Sequence, residues 1–373
     1  MASDSNNGWD LFSACTNDAV KNITGSLIMI SKRIYTGFDL VKLIAAICII
    51  AIHTRAPFFN IIGRLGVPFF AIVSSILFFN HYQRLIKCEE KKDYLLKFCR
   101  RIFLLYITWQ VIYIPIAIRQ FRVIMASLKG TGFKNLLVYF LDFFFPAVYN
   151  SQGVDLTQDA NGWGPSWYLL ASIIAMPVLV GLLRLFKQHV LPVFIICILV
   201  EIYIILADEF SDWTHLSPIM NHTFLRLLIY FCLGYLIVYY HDFLYSWSKY
   251  SVQLLAVCFC LFLVESLVVG HFAGDYNTEE IITTVPTGLF LALVTMNYYP
   301  KLHYPVQVRN MSTFLYCFQI WPIVIMRKVF ETRGWGSQHL ILFIVVLLIS
   351  FICFFLYEKC RQHFKWRFLK YMV

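Results

Sequence analysis

The sequence predicts an all-α fold: a polytopic helical membrane protein with about ten transmembrane helices plus one interfacial or re-entrant segment. Three observations carry this reading. Of 373 residues, 60% are hydrophobic and only 14% are charged, too little charge to solvate a soluble chain of this length. Apolar runs of membrane-crossing length, about 20 residues, recur between Phe38 and Leu356. Lys and Arg gather in the connections on alternating sides, the pattern that orients membrane helices. A membrane β-barrel is excluded, because its strands would be about ten residues long with a period of two.

The predicted spans are 38–56, 64–80, 101–118, 166–186, 190–207, 223–240, 251–270, 281–299, 311–327 and 338–357. The stretch NLLVYFLDFFFPAV (135–148) is apolar but short, contains Asp142 and stops at Pro146, so it reads as interfacial or re-entrant. With a cytosolic N-terminus, 20 Lys and Arg lie on the inner side and nine on the outer, while Lys42 and Arg226 fall inside spans. A full span at 135–148 would invert everything after it and put the basic tail outside. Both termini are therefore expected in the cytosol, with the protein in the cell membrane. Residues 1–32 are expected to be a polar cytosolic extension, since no basic start leads into an apolar core. Residues 33–358 form the membrane domain and 359–373 a basic cytosolic tail.

The formal charge of +10 follows membrane orientation, so lipids and not nucleic acid are the expected polyanionic surface. Most of the 11 cysteines lie in apolar runs and the rest in regions assigned to the cytosol, so no disulfide framework is expected. His215 and His222, seven apart in an acidic outer loop, are weak ligands, and no metal is expected. Neither a Walker loop nor a dinucleotide fingerprint occurs.

The chemistry concentrates in FDLVKLIAAICIIAIH (38–53), where Asp39, Lys42 and His53 interrupt an otherwise apolar helix. A charge at mid-membrane costs about 2.5–3.5 kcal/mol even on lenient insertion scales. At about 100° per residue, Lys42 and His53 lie within roughly 20° of each other and Asp39 within roughly 40° of His53. All three share one face, with Lys42 and His53 about 16 Å apart along the axis. A bland reading is an Asp39–Lys42 ion pair at spacing three and an interfacial histidine. With Arg55 and Arg64 following, the set reads better as the wall of a polar cavity.

The stretch RIYTGFDLVKLIAAICIIAIH resembles the first helix of the acyltransferase-3 family of bacterial membrane acyltransferases. That helix carries an acidic residue, a basic residue three later and a histidine eleven after that; Lys42 stands where the family usually has Arg. RLGVPFFAIVSS (64–75) looks like the second helix, leading from Arg64 to Ser74, with Ser75 where Gly is common. KFCRRIFLLY (97–106), PSWYLL (165–170), RLLIYFCLGYLI (226–237) and STFLYCFQIWPIV (312–324) are similar to later helices. In the last, Gln319 stands where many members have His. The resemblance covers most of 33–358 and extends to the membrane domain of membrane-anchored serine racemases.

The resemblance implies transfer of an acyl group, with acetyl-CoA the leading donor among acyl-CoA thioesters, to a hydroxyl of an envelope glycan or lipid-linked sugar. The residue types suit it. A hydroxyl nucleophile needs a base of pKa near 7, the expected role of His53, and the oxyanion needs a donor or positive charge, for which Arg64, Arg226, Tyr316 and Gln319 are candidates. Lys42, held by Asp39, is expected to meet donor phosphates or the pantetheine arm. In the basic loop 81–101, most residues read as topology and lipid contact, while Arg100 and Arg101 are assigned to coenzyme A phosphates. Trp163, Trp167 and Trp213, with Asp155, Asp159, Asp208, Glu209 and Asp212, read either as an interfacial aromatic belt or as a sugar platform. Ser74, Trp167 and Tyr168 join Arg64, Arg226, Tyr316 and Gln319 as expected substrate contacts. Glu265 is the only carboxylate singled out as a partner for Arg226, though no spacing rule connects them.

A second reading is a transporter that flips a glycan or lipid-linked sugar past the same buried charges. The large basic inner loop and the Lys42–His53 face favour the enzyme, because an exporter needs no site for a charged cytosolic donor. Orientation has a direct check: on a cysteine-free background, Asn277→Cys should react with an impermeant thiol reagent from outside and Lys91→Cys should not. The reverse labelling pattern would overturn the cytosolic-donor argument.

Overall fold

In a computed structural model, the described residues are 35–127, 163–208, 210, 214–216, 224–241, 243–244, 248–273, 281–364 and 368–373. Residues 1–32 and 135–148, and with them the extension and the interfacial segment expected above, lie outside the described residues. Among the described residues every regular element is helical. In order these are α1 (Thr36–Thr54), α2 (Phe59–Gly63), α3 (Gly66–Tyr82), α4 (Cys88–Ser127), α5 (Ser166–Leu185), α6 (Val190–Asp208), α7 (Phe224–Tyr239), α8 (Ser251–Ala273), α9 (Thr284–Met296), α10 (Pro305–Phe318), α11 (Ile320–Thr332) and α12 (His339–Phe364).

Seven of the helical stretches are long and apolar enough to cross a membrane, and α10 with α11 makes an eighth, bent by 50°. Two shorter apolar helices, α7 and α9, occupy the remaining predicted spans. The chain is thus an all-α polytopic membrane protein. Two boundaries differ from expectation. The basic stretch read as a loop over 81–101 is helical from Cys88 onward, because α4 runs through it without interruption into the apolar part. The span predicted at 311–327 is broken at Gln319, and Pro322 is the reason: it has no N–H for the Phe318 carbonyl and its ring crowds that carbonyl.

The centre of the bundle is α3 against α7, the most extensive helix pair. Without a hydrophobic force between helices in lipid, small residues must let backbones approach. Gly234 supplies this: a Cβ there would overlap the Ser75 side chain and stand 2.6 Å from the Ile72 carbonyl oxygen. Ser75, fully buried, donates from Oγ to the Phe231 carbonyl at 2.5 Å, so its hydroxyl is satisfied within the crossing. On the periphery, α8 and α12 expose apolar rows, including Val257, Leu261 and Val264 on one and Ile344, Leu348 and Ile352 on the other. These rows face lipid.

Residues 368–373, expected to be part of a cytosolic tail, fold back onto the bundle. The Tyr357 hydroxyl donates to the Leu369 carbonyl at 2.7 Å and the Trp109 indole to the Met372 carbonyl at 3.1 Å. Glu265 also differs from expectation. It accepts the backbone N–H groups of Ile282 at 3.0 Å and Thr283 at 2.8 Å, at the start of α9. The carboxylate caps helix donors that would otherwise be orphaned, and Arg226 is not its partner.

Gly234→Ala should destabilise by about 1–3 kcal/mol, the usual cost of overpacking. Gly181→Ala, where nothing stands within 4 Å of the added carbon, should be neutral or slightly stabilising. Thermal melts in detergent compare the two.

Candidate active site

Asp39 sits in the first turn of α1 with its side chain only 5% exposed. A carboxylate so placed needs strong donors, and Arg309 of α10 supplies them as a fork: Nε donates to Oδ1 and Nη2 to Oδ2, both at 2.9 Å. The expected local pairing of Asp39 with Lys42 therefore gives way to a partner 270 residues distant. Lys42 is half-buried and lies within electrostatic range of Asp39, Arg309 and Arg101 without forming an ion pair. Lys42 thus has one carboxylate and two further cations within electrostatic range, which leaves this end of α1 with excess positive charge. Arg101 joins the group from α4. Arg100, about 100° further round that helix, is exposed and shares no described contact with Lys42.

His53 stands at the opposite end of α1, half-buried in the last turn. Its carbonyl accepts a hydrogen bond from Arg327 Nη2 at 2.9 Å. Beyond it Arg55 takes a left-handed conformation, φ 55°, which closes the helix. Thus the broken span α10–α11 grips α1 at both ends, through Arg309 at the Asp39 end and Arg327 at the His53 end. Asp39 and Lys42 lie on the side of α1 turned to that span.

Several expected substrate contacts converge between α3, α5 and α10. Tyr168 and Tyr316 meet with ring centroids 5.9 Å apart, and Phe70 lies 6.3 Å from the first and 5.9 Å from the second. Ser172 Oγ donates to the Tyr168 backbone carbonyl at 2.7 Å. The Tyr316 hydroxyl donates to the Pro165 carbonyl at 2.5 Å. Gln319 is fully buried at the break, and its Nε2 donates to the Tyr316 carbonyl at 2.9 Å. Arg226, buried near the start of α7, lies 5.5 Å from the centre of the Trp167 ring. Arg64, half-buried, follows α2 at the turn into α3.

Trp163 belongs neither to an interfacial belt nor to an exposed platform. It is fully buried and stacks on Tyr113 at 5.4 Å with Trp109 at 6.1 Å. The other members of that outer set, Trp213, Asp155, Asp159, Glu209 and Asp212, lie outside the described residues. Two charges outside the expected set of site residues matter here, a half-exposed arginine and a buried carboxylate. Arg309 was counted with the inner loop charges, and nothing in its local sequence indicates a partner in α1. Glu201 carried a legible signal: a carboxylate within a run of mean hydropathy 2.9 is a functional candidate on cost alone. It is buried on α6 and accepts a hydrogen bond from the Tyr230 hydroxyl at 3.3 Å.

An open groove of about 400 Å³ separates α4 from α11, lined by Pro115, Ile116, Trp321, Val324, Lys328 and Thr332 among others. None of the predicted site residues lines it. Among the described residues no group of three His, Cys, Asp or Glu gathers to hold a metal.

The ion-pair geometry makes a comparative prediction. Arg309→Met should destabilise the fold by about 2–3 kcal/mol, because it strands a buried carboxylate; the half-exposed arginine keeps this below the loss for a fully buried pair. Lys42→Met should cost under about 1 kcal/mol. Adding Asp39→Asn to Arg309→Met should recover most of the loss, as read by thermal unfolding in detergent.

No solved structure matches this chain. An amino-acid racemase of Enterococcus faecalis is 23% identical over 352 residues, covering 86% of this chain but 45% of the relative. The chain therefore spans a little under half the length of that racemase. A family profile described as an acyltransferase domain matches residues 35–358, which is the bundle from the start of α1 through the Asp39–Arg309 pair to Glu358 of α12. This chain belongs to the acyltransferase-3 family of membrane acyltransferases.

Proposed function

We infer that the protein transfers an acyl group, with acetyl the leading candidate, from a cytosolic acyl-CoA to a hydroxyl of an envelope glycan or lipid-linked sugar. The observation that carries this is the two-ended face of α1. At one end Lys42 lies in range of Asp39, Arg309 and Arg101, and at the other, about 16 Å from Lys42 along the axis, stands His53. Excess positive charge suits the phosphates of coenzyme A, and a histidine suits general-base chemistry on a hydroxyl. With both termini in the cytosol, the Asp39 end faces the donor pool and the His53 end the acceptor.

The reaction follows from these positions. The acceptor oxygen attacks the thioester carbonyl carbon while an unprotonated ring nitrogen of His53 takes the hydroxyl proton. The tetrahedral intermediate carries its negative charge on the former carbonyl oxygen. Its collapse breaks the carbon–sulfur bond, and the departing sulfur takes the proton from His53, giving the ester and free coenzyme A. The Tyr316 hydroxyl already donates its one proton to the Pro165 carbonyl, so the oxyanion is assigned to Arg64 or Arg226, whose charge favours them over the second N–H of Gln319. Arg309 positions Asp39, which with Arg101 sets the field around Lys42.

Turnover by the purified protein tests the base. His53→Ala should lose about 10²-fold or more in kcat with little change in melting temperature, since the bond from Arg327 is to the His53 backbone and survives. Retention of more than about a tenth of wild-type turnover would remove His53 from that role. The donor end has its own check. Lys42→Met should raise KM for acyl-CoA by about tenfold, the loss of one charge-assisted hydrogen bond, whereas Lys42→Arg should stay close to wild type. A glycan exporter using the same face would show neither effect, nor any stabilisation by coenzyme A.

A further inference from the structure

The break between α10 and α11 holds three fully buried side chains, each with a polar atom that makes no hydrogen bond. These atoms are Trp163 Nε1, Ser166 Oγ and Gln319 Oε1. They belong to one junction. Trp163 stacks on Tyr113, whose hydroxyl donates to the Cys317 carbonyl at 2.7 Å, two residues before Gln319. Pro165, between Trp163 and Ser166, accepts from Tyr316, and the Tyr316 carbonyl in turn accepts from Gln319.

Buried polar groups are nearly always bonded, and each exception calls for an explanation. Here the three unused atoms specify a missing partner. The indole N–H requires an acceptor, the Gln319 oxygen requires a donor, and the Ser166 hydroxyl serves as either. None of the three is charged, and the rings of Trp109 and Tyr113 adjoin Trp163. The partner is therefore a neutral group that both donates and accepts. Two substrates of the proposed reaction carry such groups: the donor as an amide of its pantetheine arm, the acceptor as a sugar hydroxyl.

Position favours the arm. Gln319 lies ten residues beyond Arg309 along α10, about 15 Å at 1.5 Å per residue. A pantetheine arm has as many chain bonds as a little over four residues and extends roughly 15 Å. Lys42 lies three residues beyond Asp39, about 4.5 Å nearer the level of Gln319, so a donor whose phosphates sit at Lys42 would present its second amide, about 10 Å along the arm, at the break. The geometry points to Trp163, Ser166 and Gln319 as the site that binds the amides of the donor's pantetheine arm. This assignment rests on the acyl-CoA reading above.

The test compares coenzyme A with its nucleotide alone, adenosine 3′-phosphate 5′-diphosphate, which lacks the arm. Binding to the purified full-length protein is measured by calorimetry. Wild type should bind coenzyme A at least about tenfold more tightly than the nucleotide. Gln319→Leu and Ser166→Ala should each shrink that ratio about threefold or more, with nucleotide affinity unchanged. Ser166→Ala deletes a buried hydroxyl that has no partner, so the ligand-free variant should melt no lower than wild type. That outcome separates a binding role from a packing role. A ratio that stays at the wild-type value in both variants would overturn the site, leaving the junction to water or packing. Wild-type protein that binds neither probe would bring down the acyl-CoA reading itself, and this assignment with it.

Discussion

A carboxylate inside a membrane bundle can be held charged only by donors that reach it in fixed geometry, and the pairing of Asp39 with Arg309 meets that demand. Both carboxylate oxygens are used, each at 2.9 Å. Because the guanidinium is planar and its two donors are parallel, the pair sets the height and the rotation of α1 against α10 together. Everything else on the face of α1 follows from that register. Lys42 is left unpaired beside two further cations, and His53 arrives at the level where Arg327 meets its carbonyl. Such a pair contributes less to net stability than to specifying one arrangement, since the desolvation of two charges offsets most of their attraction.

The same span that grips α1 is also interrupted. Pro322 breaks the hydrogen-bond ladder and Tyr113 of α4 bonds the Cys317 carbonyl beside the gap. Irregular backbone at membrane depth is tolerated only where protein or a polar cavity surrounds it. Here protein surrounds it: Trp163, Tyr316 and Gln319 are all buried at the junction. In transporters with discontinuous helices, substrate sites lie at such interruptions, and the expected substrate contacts Tyr168, Tyr316 and Gln319 gather at the break here.

How much of this was legible in the sequence depends on the range of the interaction. Helix length, hydropathy and the shared face of Asp39, Lys42 and His53 are local properties set by 3.6-residue periodicity, and the helical bundle follows from them. The partner of Asp39 was not legible, because no periodicity links positions 270 residues apart and Lys42 offered a plausible local alternative. Glu265 was misjudged for a related reason: its donors are backbone N–H groups at the start of α9, and every sequence has those. The helical start of α4 at Cys88 was hidden by its charges, although Lys, Arg and Glu are good helix formers. Trp163 looked interfacial from its acidic neighbours, yet ring stacking with Tyr113 placed it inside. Pro322 was the one signal of the break that stood in plain view.

The length of α4 has a mechanical consequence. Its 40 residues make a rod about 60 Å long, twice the roughly 30 Å hydrocarbon thickness of a bilayer, so a good part of it stands clear of the lipid. The projecting turns carry Lys91, Lys92 and Lys97, and Arg101 lies where the rod meets the bundle. Pro115, further along, removes one rung of the ladder and lowers the stiffness there. The projecting turns are tied to the end of α3, because Tyr94 and Phe98 pack against Phe78 and Lys91 lies over the Tyr82 ring. A tilt imposed on these turns would therefore move the end of α3 and Arg101 together, relative to Lys42.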